Sequence, residues 1–171
     1  MTRTLVLMGV SGVGKSTVAA ELHRSLGWPF VDGDDFHPES NVVKMRKGIA
    51  LTDSDRWPWL AAIATWIGVQ ESLGIDCIVT CSALRKVYRD ALRQDHTSVW
   101  FVHLVATRDV VAERLAQRVG HFMQPALLAS QIDELEPLRS HEPGVIVAAT
   151  GSAAATATAI LAHLRGQGRP R

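Results

Sequence analysis

The residues Gly9-Val10-Ser11-Gly12-Val13-Gly14-Lys15-Ser16-Thr17 carry the pattern Gly-x-x-x-x-Gly-Lys-Ser, in which each fixed position has a physical duty. Glycines let the backbone curl so that successive N–H groups point inward, forming an anion nest that larger side chains would obstruct. Lys15 is placed to reach the β- and γ-phosphates, and the Ser16 hydroxyl to ligate Mg²⁺. A helix starting near Lys15 would aim the positive end of its dipole at the same point. The apolar run 4–8 has strand length, and Val18, Leu22 and Leu26 recur at helical spacing. Strand, glycine loop and helix follow in the order that a nucleoside triphosphate site requires.

A second set of polar residues could hold the acceptor. Asp32-Gly33-Asp34-Asp35 closes the apolar run 29–32. Phosphoryl transfer calls for one carboxylate near the metal and another near the accepting hydroxyl. Asp34 is the candidate for the acceptor and Asp32 for the Mg²⁺ shell, with Asp35 divided between a site role and a helix cap. His37 and Pro38 open a helix bearing Asn41, the chain's only asparagine, and Lys44, whose charge suits a solvated face more readily than a site. Arg56 could grip a planar carboxylate with two parallel hydrogen bonds, while Asp53 or Asp55 reads as the cap of a helix beginning at Pro58. Ser82 and Arg85 follow the third apolar run and offer a hydroxyl and a guanidinium to a polyol. Arg114 and Arg118, four apart on one helical face, lead into Gly120-His121-Phe122-Met123. An arginine-bearing flap of this kind would cover the phosphates and exclude water, with His121 either in the site or a capping residue.

Five apolar runs position these groups: 4–8, 29–32, 75–81, 99–105 and 145–149. Helical patterns alternate with them at 16–26, 58–73, 85–93, 109–118, 126–136 and 153–164. Such alternation predicts an α/β fold, a five-stranded parallel sheet with helices on both faces and ligands at the carboxyl ends of the strands. Trp59, Ile63, Trp66 and Ile67 form an apolar stripe that reads as core. The expected organisation is one domain over residues 1–171, with a substrate-binding insertion at 34–56 and a lid at 114–125.

Composition excludes several classes. A net charge of +1 with no basic stripe argues against a nucleic-acid partner or an anionic membrane surface. No segment reaches the length of a membrane helix, and the strand begins too early for a signal peptide, so a cytoplasmic protein is expected. Cys77 and Cys81 would share a strand face about 13 Å apart, too far for a disulfide.

Taken in order, GVSGVGKST at 9–17, DGDDFHP at 32–38, Asn41 with Lys44-Met45, LTDSDRWPWL at 51–60, CSALR at 81–85 with Tyr88-Arg89, GHFM at 120–123 and SQIDELEP at 130–137 resemble the gluconokinases, small phosphate-loop kinases. The resemblance implies an adenylate-kinase/shikimate-kinase type fold with a mobile lid, ATP and Mg²⁺ as cofactors, and D-gluconate phosphorylated at its terminal hydroxyl. It further implies ATP held by Gly9 to Thr17 with Arg114, and gluconate faced by Asp34, His37, Lys44, Arg56, Ser82, Arg85 and His121. Lys15, Asp34 and Arg118 would serve catalysis, Ser16 and Asp32 the metal, and the protein would be a homodimer. Arg85 stands where relatives often carry Lys, and residues 149–152 lack the aspartate and proline associated with the loop near the adenine. One competing reading is a shikimate-kinase-like enzyme, which would show a glycine triplet where this chain has Cys81-Ser82-Ala83. Another is a nucleotide-switched binding protein, but no lysine here follows Asn or Thr, as its guanine-reading motif requires.

Overall fold

Five short parallel strands lie in the order β2-β3-β1-β4-β5. The computed structural model describes residues 2–117 and 125–166. Its elements are β1 (Thr4–Met8), α1 (Lys15–Leu26), β2 (Phe30–Asp32), a 3₁₀ turn (Gly33–Phe36), α2 (Glu39–Arg46), α3 (Asp53–Ser72) and β3 (Cys77–Thr80). There follow α4 (Lys86–Arg93), β4 (Val99–Val105), α5 (Arg108–Ala116), α6 (Pro125–Glu134), β5 (Gly144–Ala148) and α7 (Ala153–Gly166). β1 is the central strand, with Leu5 opposite Ile78 of β3 and Trp100 of β4. It is buried along its whole length, which is why Leu5 to Met8 form a continuous apolar run and not an alternation. The glycine loop therefore leaves the sheet at its centre, at the carboxyl edge where the strand order reverses.

Alternate residues of the strands feed two cores. Leu5 and Leu7 join Val102 and Leu104 beneath Leu22 of α1 and Ile160 of α7. Val6 and Met8 join Val79 and Phe101 on the other face, against Trp59, Ile63 and Ile67 of α3 and Leu92 of α4. Trp66 packs on this second core half-buried, so the α3 stripe is core as its spacing implied. Both cysteines are free and buried, and burial pushes their thiols up to about 11 for Cys77 and about 12 for Cys81. No described helix is long and apolar enough to cross a membrane.

Two boundaries that matter to the site differ from the sequence reading. α3 begins at Asp53, well before Pro58, and neither Asp53 nor Asp55 is its cap. Thr52 is the cap: its hydroxyl accepts the Asp55 N–H at 3.3 Å while Asp55 Oδ2 accepts the Thr52 N–H at 2.8 Å. This reciprocal box satisfies two otherwise orphaned donors, a stronger start signal than the proline, which stays inside the helix. Asp34, for its part, does not end β2 but lies in the 3₁₀ turn, whose cap is Asp32. Gly33 makes that turn possible, because a methyl group there would lie 1.9 Å from the Thr80 carbonyl oxygen.

Candidate active site

The donor half of the site is built from backbone. Gly12 and Gly14 hold φ of 82° and 105°, left-handed values that side chains resist, and so turn the loop into α1. Lys15 Nζ donates to the Gly9 and Val10 carbonyls at 3.0 and 3.1 Å, folding the charge across the loop it closes. The Ser11 N–H donates to Gln131 Oε1 of α6 at 2.7 Å. Arg114 does not merely lie near the nucleotide loop. Its Nη1 donates to the Val13 carbonyl at 2.8 Å and its Nη2 to the Gly151 carbonyl at 3.2 Å. It thereby ties the phosphate loop to the segment after β5, the stretch at 149–152 whose sequence is unusual.

Asp32 sits where the strand-end argument put it. The Ser16 hydroxyl donates to its Oδ2 at 2.6 Å, and Thr80 Oγ1 and the Asp34 N–H donate to its Oδ1 at 2.8 and 3.0 Å. Burial works to raise its pKa, but the bonds from Ser16, Asp34 and Thr80 and the charge of Lys15 outweigh that and hold the carboxyl below its ordinary value. An ionised carboxylate beside a hydroxyl offers the hard oxygen donors that Mg²⁺ prefers, and the pair fits that ion.

The acceptor half is built from side chains drawn from distant segments. His37 stacks on Trp59 with ring centroids 4.1 Å apart, and its side chain is only 4% exposed. Burial, then the charge of Arg56, lowers its pKa to about 4, so the ring is neutral near pH 7. Asn41, itself buried, lies with Nδ2 3.2 Å from His37 Nδ1 and 2.8 Å from the Asp55 carbonyl. An amide nitrogen only donates, so His37 Nδ1 accepts and the ring proton sits on Nε2. That Nε2 lies 3.9 Å from Asp34 Oδ1, and Asp34 is largely exposed toward the cavity.

Arg56 is 8% exposed and held by one neutral and one charged partner. Its Nη1 donates to the Tyr88 hydroxyl at 2.8 Å and to Glu134 Oε2 at 2.7 Å. Tyr88 in turn donates to Asp53 Oδ1 at 2.5 Å, and its ring lies under both Arg56 and Arg85. Burial and the Asp53 bond raise the phenol's pKa, which keeps the hydroxyl protonated and able to relay. Arg85 reaches Asp53 at 3.0 Å and Lys44 reaches Asp55 at 2.7 Å, so Lys44 is not the loose surface charge its sequence context suggested.

One cavity of about 310 Å³ joins the halves, lined by Ser11 and Lys15 from the loop and by Asp34, His37, Arg56 and Ser82 from the acceptor side. Its far wall is apolar, with Met45, Ile49 and Leu127 among the lining residues. Lys44 and Arg85 stand back from it, each paired with the first turn of α3. Arg118 and His121 lie outside the described residues. Sequence reasoning missed Tyr88, Thr80, Gln131 and Glu134 as partners of the site. Only the quoted strings CSALR with Tyr88 and SQIDELEP held a trace of them, because such contacts are made across 32 to 120 positions of sequence. Arg89, quoted with Tyr88 but given no partner, is fully buried, pairs with Glu142 at 2.6 Å and holds the Ala83 carbonyl at 3.1 Å. That grip secures Ala83 at φ 42°, a left-handed residue that turns the chain after Ser82.

A glycine loop at the centre of a 2-3-1-4-5 parallel sheet, opening into a cavity with carboxylate and guanidinium groups, defines a phosphate-loop kinase. The family model described as an AAA domain matches residues 5–138. The gluconokinase of Gluconobacter oxydans (strain 621H) is 48% identical over 85% of this chain and 82% of its own length. The thermoresistant gluconokinase of Escherichia coli (strain K12) is 41% identical over 83% and 81%. The crystal structure of a gluconokinase from Sinorhizobium meliloti 1021 superposes with a TM-score of 0.82 at 42% identity, covering 96% of this chain and 94% of that one. Shikimate kinase from Aquifex aeolicus, at 20% identity and a TM-score of 0.58, shares the fold. The chain belongs to the gluconokinase family and is an enzyme of that kind.

Proposed function

We propose that the protein transfers the γ-phosphoryl group of ATP to the terminal 6-hydroxyl of D-gluconate, giving 6-phosphogluconate and ADP. The observation that carries this reading is the single cavity in which Lys15 and Ser11 of the phosphate loop face Asp34, His37 and Arg56. Arg56 anchors the substrate's carboxylate, and His37 Nε2–H donates toward Asp34 or a substrate hydroxyl and so sets the acceptor's orientation. Asp34 receives the proton as the hydroxyl oxygen bonds to the γ-phosphorus and the bond to the β–γ bridging oxygen breaks, so that ADP departs. Lys15 and the loop N–H groups take up the charge on the phosphoryl oxygens. Ser16 and Asp32 would hold Mg²⁺, which when bound neutralises charge on the β- and γ-phosphates. Arg118 is assigned to catalysis and His121 to the substrate, with a lid at 114–125 in one catalytic domain of a cytoplasmic homodimer.

A coupled ADP-release assay across gluconate, shikimate and glycerate tests the reading. Gluconate-dependent release, with the phosphate on the terminal carbon, is the expected result. A higher kcat/KM for shikimate would overturn it in favour of the shikimate-kinase-like alternative.

A further inference from the structure

α6 reaches into both halves of the site. Gln131 Oε1 occupies the Ser11 N–H at 2.7 Å, and Glu134 Oε2 occupies Arg56 Nη1 at 2.7 Å. Positions three apart are neighbours on a helix surface, so one strip of α6 makes both contacts. A loop N–H is a donor that a phosphate would take. Arg56 is the donor that a substrate carboxylate would take. The chain thus fills a donor in each half with an oxygen of its own.

Charge singles out Glu134 as the group that yields. Arg56, Arg85 and Lys44 are all paired already, with Glu134, Asp53 and Asp55 respectively. Asp53 and Asp55 belong to the first turn of α3, the helix that carries Arg56, and Asp55 is fixed further by the capping box. Glu134 comes from a different element. A substrate carboxylate arriving on Arg56 beside Glu134 would put two like charges on one guanidinium. Exchanging one carboxylate for the other keeps a nearly buried cation paired throughout, which avoids the heavy penalty of stranding it.

We propose that Gln131 and Glu134 are displaceable internal ligands. Nucleotide phosphate replaces Gln131 at Ser11, and the substrate's carboxylate replaces Glu134 at Arg56. Glu134 is therefore a determinant of substrate affinity, and the proposal rests on Arg56 being the carboxylate anchor. Because both contacts hang on one helix, release of one weakens the hold of the other. The two ligands consequently bind with positive, reciprocal coupling.

Calorimetric titration of the full chain with gluconate and with a non-hydrolysable ATP analogue, each alone and in the presence of the other, tests this. Glu134→Gln keeps the shape but removes the competing charge, so gluconate should bind roughly three- to tenfold more tightly, the factor of one net hydrogen bond. A neutral hexitol, with no carboxylate to exchange, should change by less than about twofold on the same scale. Gln131→Ala should tighten the ATP analogue by a similar factor without gluconate, and both variants should lose the coupling. Gluconate binding that weakens in Glu134→Gln would make Glu134 a positioning residue for Arg56 and overturn the exchange, as would an unchanged Kd. Arg56→Ala separates the two levels. If it abolishes gluconate binding while Glu134→Gln fails to tighten it, only the exchange is lost. If gluconate binds Arg56→Ala normally, the anchor itself is misassigned and the exchange falls with it. Melting temperatures of the variants show whether each is folded.

Discussion

The donor and acceptor halves of this site are made of different materials. From Gly9 to Thr17 the donor half is contiguous backbone, and its working groups are N–H donors fixed by left-handed glycines. Among the nine residues, Lys15 is the one charged side chain. The acceptor half is the opposite: Asp34, His37, Arg56 and Ser82 come from three stretches of chain, and Asn41 and Tyr88 bond to His37 and Arg56 from still others. A backbone site tolerates variation in its side chains but not in its glycines. A side-chain site can be retuned one residue at a time, and every partner it needs must be supplied by the fold. The shared sheet and loop of kinases with different acceptors follow from this division of labour.

The largest expected effect lies in the acceptor half. Asp34→Asn keeps the shape and removes the proposed proton acceptor, so kcat should fall by about 10²–10⁴, the usual range for a general base. Gluconate binding should be largely kept, since Arg56 is untouched. Near-normal turnover in a folded variant would mean that the acceptor half contributes position only. In the donor half, Lys15→Met removes one electrostatic donor and should cost about 10²–10³ in kcat. If instead the variant loses only ATP affinity, Lys15 holds ground and transition states alike and the loop N–H groups carry the catalysis.

The same contrast explains what could be read from the residues alone. The donor half was legible because its instructions are local: a strand, three glycines, Lys15 and Ser16 in one run, with β1 and α1 falling within a residue of their expected ends. Asp32 was legible through the rule that strand ends face the site, and its bond to Ser16 agrees with that placement. The acceptor half was legible in composition but not in wiring. Nothing near Arg56 in sequence announces Tyr88 or Glu134, and nothing near Lys44 announces that Asp55 captures it. The start of α3 was misplaced because a proline near a helix start is a familiar sign. The Thr52–Asp55 box, which uses Asp in place of the usual Glu or Gln, is a less familiar one.

A pH titration touches the halves unequally, because the nine loop residues include no histidine while the acceptor half rests on His37. His37 and His103 both have folded-state pKa values lowered to about 4, chiefly by burial, from an ordinary 6.5. Between those values the unfolded chain binds more protons than the folded one. Stability is therefore complete above pH 6.5 and drains as pH falls toward 4, with a limiting slope of ~1.4 kcal/mol per pH unit for each ring. Asp32, Asp53, Asp55, Glu71 and Glu142 are all held below their ordinary carboxylate values, so what they contribute is present above those ordinary values and is lost only toward the acid side. Denaturant midpoints from pH 7 to 4.5 should show the loss, and His103→Leu should remove one of the two slopes. A flat profile would mean that neither ring is held neutral by the fold.

The smallest expected effect probes how tightly the acceptor half is wired. Tyr88 accepts from Arg56 and donates to Asp53, so its hydroxyl links the guanidinium of the proposed anchor to the Asp53 carboxylate. Tyr88→Phe leaves the ring beneath Arg56 and Arg85 in place and deletes the hydroxyl's bonds to Arg56, Asp53 and Arg85. Arg56 keeps Glu134, hence its charge stays paired and the fold is not threatened. The loss should amount to about one net hydrogen bond, ~0.5–1.5 kcal/mol, and appear as a two- to tenfold rise in the gluconate KM. The Michaelis constant for ATP and the rate at saturating gluconate should move by less than about twofold, because the donor half has no partner in Tyr88 and the uniform-binding rule then applies. If kcat fell as much as KM rose, the hydroxyl would be aligning the acceptor in the transition state. The two halves would then be joined through Tyr88, and the division between a local donor site and a wired acceptor site would be too sharp.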